Sequence, residues 1–236
     1  MKSDPKLLLE IYRRLRAQFG PRRWWPAKTP FEVMVGAILT QNTAWSNVAK
    51  AVANLKAEGP LTPKRLTAIP PARMRRLIRP SGYFNQKEKK LRAYLRFFLA
   101  PPYRGSAARM RREDPAKLRE ALLSVWGIGP ETADSILLYA LEMPVFVVDA
   151  YTRRVFARLG LTAAEAGYEE LQDWFVGRLP KRVALYNDFH AQVVALGNRY
   201  CRSRPDCAPC PLAGLCRHGA GQNRACDTKP GQHQHL

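Results

Sequence analysis

The sequence predicts an all-α fold. Two observations carry this. Apolar residues recur at helical spacing through most of the 236 residues, and no alternating apolar–polar run marks a strand. The 19 prolines and 15 glycines punctuate those runs as starts and stops, so the helices are short. No long unit is repeated in tandem.

Taken in order, residues 5 to 19 form an amphipathic helix, with Leu8, Leu9, Tyr12 and Leu15 on one face and Arg13, Arg14 and Arg16 off it. A rigid loop comes next, Pro21-Arg22-Arg23-Trp24-Trp25-Pro26, whose paired tryptophans read either as a core plug or as the wall of a base pocket. Thr29-Pro30-Phe31-Glu32 is a capping box opening a buried helix to Leu39, which ends in the polar tip Thr40-Gln41-Asn42-Thr43. Trp45 begins the next helix, through Val48, Val52 and Leu55. Thr62-Pro63 and Pro70-Pro71 start two shorter ones. A turn over residues 80–85 leads into a basic helix from Gln86 to Leu99, and Pro101 to Arg112 reads as a loop. Asp114-Pro115 caps a helix that leads to Gly127-Ile128-Gly129.

The stretch from Leu122 to Arg154 is the most informative. Two glycines permit a tight hairpin, and Pro130 sits at the first position of the helix after it. Thr132, Ala133, Ile136, Leu137 and Ala140 keep helical spacing up to Pro144. A hairpin that aims N–H groups from a helix N-terminus outward is an anion site. Asp149, after the apolar run 145–148, reads as either buried chemistry or a helix cap. Helices then run to Gly160, within Thr162–Leu179, and from Val183 to Tyr200. His190, flanked by Phe189, Val193 and Val194, reads as a packing histidine.

The charge points to a partner. Lys+Arg is 39 against Asp+Glu 19, a formal net charge of +20, and polyanion binding gains from counterion release. DNA phosphate is the expected anion. Hydrophobic content of 46% argues against disorder. No run of 18 apolar residues exists and the N-terminus does not resemble a signal peptide, so a cytoplasmic protein with reduced thiols is expected.

Cys201, Cys207, Cys210 and Cys216 give C-x5-C-x2-C-x5-C within sixteen residues. The candidates are a [4Fe–4S] cluster and a four-cysteine zinc site; a single CxxC pair favours the cluster. Arg199, Arg202, Arg204 and Arg217 crowd the same segment as a basic patch. Cys226 stands outside the pattern, and residues 217–236 read as a disordered tail.

These residues resemble the helix–hairpin–helix (HhH-GPD) DNA glycosylase superfamily, endonuclease III-like. The resemblance rests on Trp126-Gly127-Ile128-Gly129-Pro130-Glu131-Thr132-Ala133, on Val147-Val148-Asp149 with Tyr151 and Arg153-Arg154, on Leu39 to Thr43 and on the cysteines. It implies two helical lobes flanking a DNA-binding cleft: a helical barrel of residues 30–135, and a second lobe of 1–29 plus 136–216 with the iron–sulfur loop. It implies that Gly127, Ile128, Gly129, Thr132 and Arg153 bind DNA, that Gln41 fills the gap left by a flipped base, and that Asp149 is catalytic. Bifunctional members carry a lysine where this chain has Glu131, and a carboxylate cannot form an imine. Base removal without efficient strand cleavage is then expected, with Glu131 as a possible helper of Asp149.

Within that superfamily, Trp24-Trp25-Pro26, Gln41-Asn42-Thr43 and residues 79–87 are similar to 3-methyladenine DNA glycosylase III. Stacking of an alkylated purine on Trp24 or Trp25 and Trp45 is then implied. Aromatic faces attract such a cation by about 0.5–2 kcal/mol. The expected protein is a monomer acting on double-stranded DNA with a damaged base. The alternatives are a glycosylase for oxidised pyrimidines or mismatched bases, and a non-catalytic DNA-binding paralogue.

Overall fold

The computed structural model describes residues 5–22 and 24–220. The described residues contain helices and no strand. Cys226 and the expected tail from 221 onward lie outside them, whereas residues 217–220 form a helical turn.

The chain divides into two compact units, Arg23–Val147 and a second made of Met1–Arg22 with Val148–Leu236. The sequence places the breaks at 29/30 and 135/136 instead. The indoles of residues 24 and 25 explain one difference, because they pack on Trp45 and Tyr139. Residues 136–140 explain the other, because they pack on the buried helix that starts at Pro30.

In the first unit, α2 (Pro30–Leu39) is the spine, buried from Phe31 to Leu39; the N-terminal helix α1 (Pro5–Phe19) belongs to the other unit. Thr29 caps α2 by accepting the Glu32 N–H at 3.1 Å. Glu32 reaches one residue beyond the expected box, accepting from the Lys28 N–H at 3.2 Å and from Lys56 at 2.6 Å. α3 (Trp45–Ala57) and α6 (Phe84–Leu99) pack on α2, and the short α4 (Pro63–Ala68) and α5 (Pro71–Leu77) pack on α6. Phe31 stacks on Phe98 with ring centroids 5.7 Å apart. Inside the expected loop 101–112, Ser106 caps a single helical turn, α7 (Ala107–Met110).

α8 (Pro115–Leu123) and α9 (Pro130–Ser135) form the hairpin pair. The regular helix expected up to Pro144 stops at Ser135 and widens into a π-helix, Ile136–Ala140, all of it buried. The Leu141 N–H reaches back five residues to the Ile136 carbonyl. Period-3.6 reasoning cannot see such a widening, because the same apolar residues satisfy both forms.

In the second unit α1 packs on α12 (Val183–Arg199), and α12 packs on α10 (Ala150–Leu159). α11 (Tyr168–Val176) contributes Phe175, which meets Phe156 edge-on at 4.7 Å. Gly197 allows the α10–α12 approach: a Cβ there would lie 2.3 Å from the Tyr151 ring. Among the described residues no helix is long and apolar enough to cross a membrane.

Candidate active site and DNA-contacting residues

Asp149 is both of the things its sequence context allows. It is the N-cap of α10, and its Oδ1 accepts the Thr152 N–H at 2.7 Å and the Thr152 hydroxyl at 2.8 Å. It is also buried, and its Oδ2 faces His190 Nε2 at 3.5 Å. Burial pushes its carboxyl up. The His190 imidazole and the two Thr152 hydrogen bonds outweigh that and hold it below the ordinary aspartate value. The result is a buried carboxylate kept ionised. His190 is therefore more than a packing residue. Sequence reasoning misses it because α12 brings it to Asp149 across 41 positions.

The hairpin is built as expected but its side chains point inward more than expected. Gly127 takes φ +83°, and a Cβ there would lie 2.4 Å from Lys90 Cγ. Ile128 and Thr132 are buried. Gln41 Nε2 donates to the Gly127 carbonyl at 3.0 Å and to the Thr132 hydroxyl at 2.9 Å. Lys90 Nζ donates to Gln41 Oε1. Gln41 and Thr132, both expected to touch DNA, are here hydrogen-bonded to one another, so Gln41 also braces the hairpin. Arg119, on α8, holds Asp134, on α9, through a two-point ion pair at 2.7 and 3.2 Å, with Asp134 wholly buried. Glu131 is exposed in the first turn of α9.

Arg153, also expected to touch DNA, is engaged within the protein. Its guanidinium donates to the Ala166 carbonyl and tethers the loop before α11. A one-residue offset explains the difference in use along α10: Arg154 and Arg158 point to the cysteine segment instead.

Trp24, Trp25 and Trp45 do come together, with Tyr139 added. Trp25 meets Trp45 at a centroid distance of 5.1 Å and an angle of 89°, and Trp24 meets Trp45 at 5.7 Å and 60°. No two of these three rings are parallel, so the expected stacking slot between them is not preformed. Trp25 and Trp45 line a pocket with Pro26, Glu32 and Lys56. The Trp25 indole lies against Gly36, where a Cβ would sit 3.1 Å from its Nε1. Both Trp24 and Trp25 bury an indole N–H with no acceptor among the described residues.

Cys201, Cys207, Cys210 and Cys216 line one pocket together with Arg158 and Tyr200. Arg158 donates to Cys201 Sγ at 3.3 Å and to the Arg202 carbonyl at 2.6 Å, and Arg154 donates to the Cys201 carbonyl at 2.7 Å. These clamps are invisible in the spacing of the cysteines. Burial first, and then the other thiols, push Cys207 and Cys210 above the usual thiol range. Among the described residues, no three His, Cys, Asp or Glu side chains converge closely enough to hold a metal ion.

Comparison with known proteins bears on the family and the fold. The profile of the HhH-GPD superfamily base excision DNA repair proteins matches residues 35–181. A provisionally named DNA repair glycosylase of Methanocaldococcus jannaschii is 41% identical over 211 residues, covering 89% of this chain and 96% of that one. The structure of H. pylori 3-methyladenine DNA glycosylase bound to 1,N6-ethenoadenine superimposes with a TM-score of 0.73 at 29% identity, covering 84% of this chain and 98% of that one. A non-covalent endonuclease III–DNA complex shares the fold, with a TM-score of 0.79 at 23% identity and coverage of 94% and 99%.

Proposed function

Since the chain belongs to the HhH-GPD superfamily of base excision DNA repair proteins, and is a DNA glycosylase of that superfamily, we propose that it is monofunctional. It hydrolyses the N-glycosidic bond of a flipped damaged base, an alkylated purine such as 3-methyladenine. The observation that carries this reading is the buried, ionised Asp149, held by Thr152 and His190.

A carboxylate that stays charged in a buried setting is suited to stabilising the oxocarbenium sugar as the base departs, and to accepting a proton from the attacking water. An N-alkylated purine already carries positive charge, so its departure needs no strong acid. Glu131, standing where a lysine would form an imine, leaves no amine for strand cleavage at that position. Flipping costs a few kcal/mol, least for a damaged base.

Substrate class is supported by the aromatic group. Trp24, Trp25 and Trp45 offer π faces to a cationic base, and two buried indole N–H groups lack acceptors among the described residues. Trp25 and Trp45 already line an open pocket, and insertion of a base between the rings themselves would require at least one indole to shift. The likeness to a 3-methyladenine glycosylase over 98% of that chain points the same way.

The four cysteines fit a [4Fe–4S] cluster. They are the right donors, line a single pocket, and resist ionising together in a way that a bound cation would offset. The single CxxC pair, Cys207 and Cys210, favours a cluster over one zinc ion. When bound, the cluster supplies a rigid knot for residues 201–216, held to α10 by Arg154 and Arg158.

The test is a panel of duplexes carrying 3-methyladenine, oxidised pyrimidines or mismatches, read with and without alkali and with borohydride trapping. Release of the alkylated base, with strand breaks only after alkali, is expected. Asp149→Asn should slow release by about a hundredfold or more while the α10 cap is kept, since asparagine caps a helix as well as aspartate does. Strong trapping, or an Asp149→Asn variant as active as the parent, would overturn the reading. Preferred release of an oxidised pyrimidine would reassign the substrate.

A further inference from the structure

Lys87, in the first turn of α6, is a cation enclosed by protein, with 2% of its surface exposed. Its Nζ donates to the Leu39 carbonyl at 2.8 Å and to the Ser81 carbonyl at 2.6 Å. Leu39 is the last residue of α2, so its carbonyl is among those the helix leaves without an internal partner. Ser81 closes the turn Arg79–Ser81. Burying an ammonium is expensive even with such partners. Burial, and then Lys90, pull Lys87 down to about 8. A fold that retains this arrangement gains something local from it.

The residues just after each carbonyl identify the gain. Beyond Leu39 lie Thr40, Gln41 and Asn42; beyond Ser81 lie Gly82 and Tyr83. Asn42, Gly82 and Tyr83 take φ of 53°, 68° and 44°, the first and last being non-glycine residues in the left-handed region. For Asn42 and Tyr83 such backbone is unfavourable and persists only where its surroundings enforce it. Tyr83 is 70% exposed, and Trp126 beside the hairpin is 56% exposed. Gln41, Asn42, Tyr83, Lys87, Lys90 and Trp126 line one surface pocket. Lys90, one turn along α6, is the residue that holds Gln41.

We propose that Lys87 is a positioning residue for DNA engagement: by tying the end of α2 to the Arg79–Ser81 turn, it presents Gln41–Asn42 and Gly82–Tyr83 as one preorganised edge that meets a duplex with a base missing from its stack. The clamp's effect is on recognition of the disrupted duplex rather than on bond cleavage. The inference rests on the glycosylase reading only in taking DNA as the ligand, and it does not depend on which base is removed. Preorganised loops bind with less ordering cost, so losing the clamp weakens the contact that needs both tips and spares binding that needs only charge.

The test compares two duplexes, one with a tetrahydrofuran abasic-site analogue opposite 2-aminopurine and one intact. Lys87→Met keeps the length and removes the donors. It should lose about tenfold of the preference for the abasic duplex, the scale of one charge-assisted hydrogen bond. The 2-aminopurine fluorescence change on binding should shrink, while affinity for the intact duplex stays within about twofold. Lys87→Arg, which keeps charge and donors, should recover most of the preference and of the fluorescence change.

Unchanged preference in Lys87→Met would overturn the proposal. So would a parallel fall in both affinities, which marks a purely structural residue. Should Lys87→Met not fold, Lys87→Arg and Lys87→Gln decide the matter: retention of full preference by the glutamine variant would overturn it. Excision of alkylated bases by the wild type is scored separately. Its absence would defeat the substrate reading and leave this binding test intact.

Discussion

The Asp149 carboxylate lies 3.5 Å from the His190 imidazole, and both side chains are buried in the unit that begins again at Val148. The histidine, with Thr152, offsets the penalty that burial imposes on the charged aspartate. Asp149 therefore binds a proton less readily folded than unfolded. Its stabilising share is complete above the ordinary aspartate value of about 3.9 and is lost as pH falls through the lower folded value.

His190→Phe removes the imidazole that faces Asp149 and leaves burial less balanced. The acid limb of the excision rate should then move to higher pH by about one unit or more. The wild-type limb should lie below the ordinary aspartate range. A pH–rate profile for the two proteins checks this, and coincident limbs would show that His190 only packs.

Arg119→Ala should be the most damaging change in the hairpin. It removes the two-point cation from Asp134, which is wholly buried. Breaking such a pair from one side costs about 3–5 kcal/mol. Urea unfolding of the variant measures it. A loss under about 1 kcal/mol would mean the pair is no stronger than a surface one.

Gly127 and Gly129 form a matched comparison. Alanine at 127 meets both a positive φ and the Lys90 stem at 2.4 Å, whereas alanine at 129 meets nothing within 4 Å. Gly127→Ala should cost about 1–3 kcal/mol and disturb the Lys90–Gln41–hairpin network, weakening DNA binding. Gly129→Ala should fold as the parent does. Equal melting temperatures for the two variants would show that neither the φ nor the Lys90 contact at 127 matters.

The protein purified without oxygen should be brown, absorbing at about 400 nm as Fe–S charge transfer does. Cys207→Ser or Cys210→Ser should bleach it and lower the melting temperature, because the 201–216 segment loses its knot. A colourless protein containing one equivalent of zinc would refute the cluster.

Much of the fold was legible in the chain. Proline and cap residues marked the starts of α2, α4, α5 and α8, and Thr29, Thr62 and Asp114 cap as their types suggest. These are interactions over two or three residues, which sequence encodes directly. The failures share the opposite property. The π-helix at 136–140 and the unit boundaries at 22/23 and 147/148 depend on what packs against them.

The sequence alone determined the helical class, the hairpin, the carboxylate of Glu131 just after it, and the set of four thiols. Tertiary structure decided what each polar group faces. It paired Asp149 with His190, turned Gln41 and Thr132 toward the hairpin, assigned Arg153 to a loop carbonyl and Arg158 to the cysteines, and buried Lys87 between two turns. The reason is physical. A helix period says which side chains share a face, but a buried charge is located by the partner that offsets its desolvation, and here those partners lie tens of residues away.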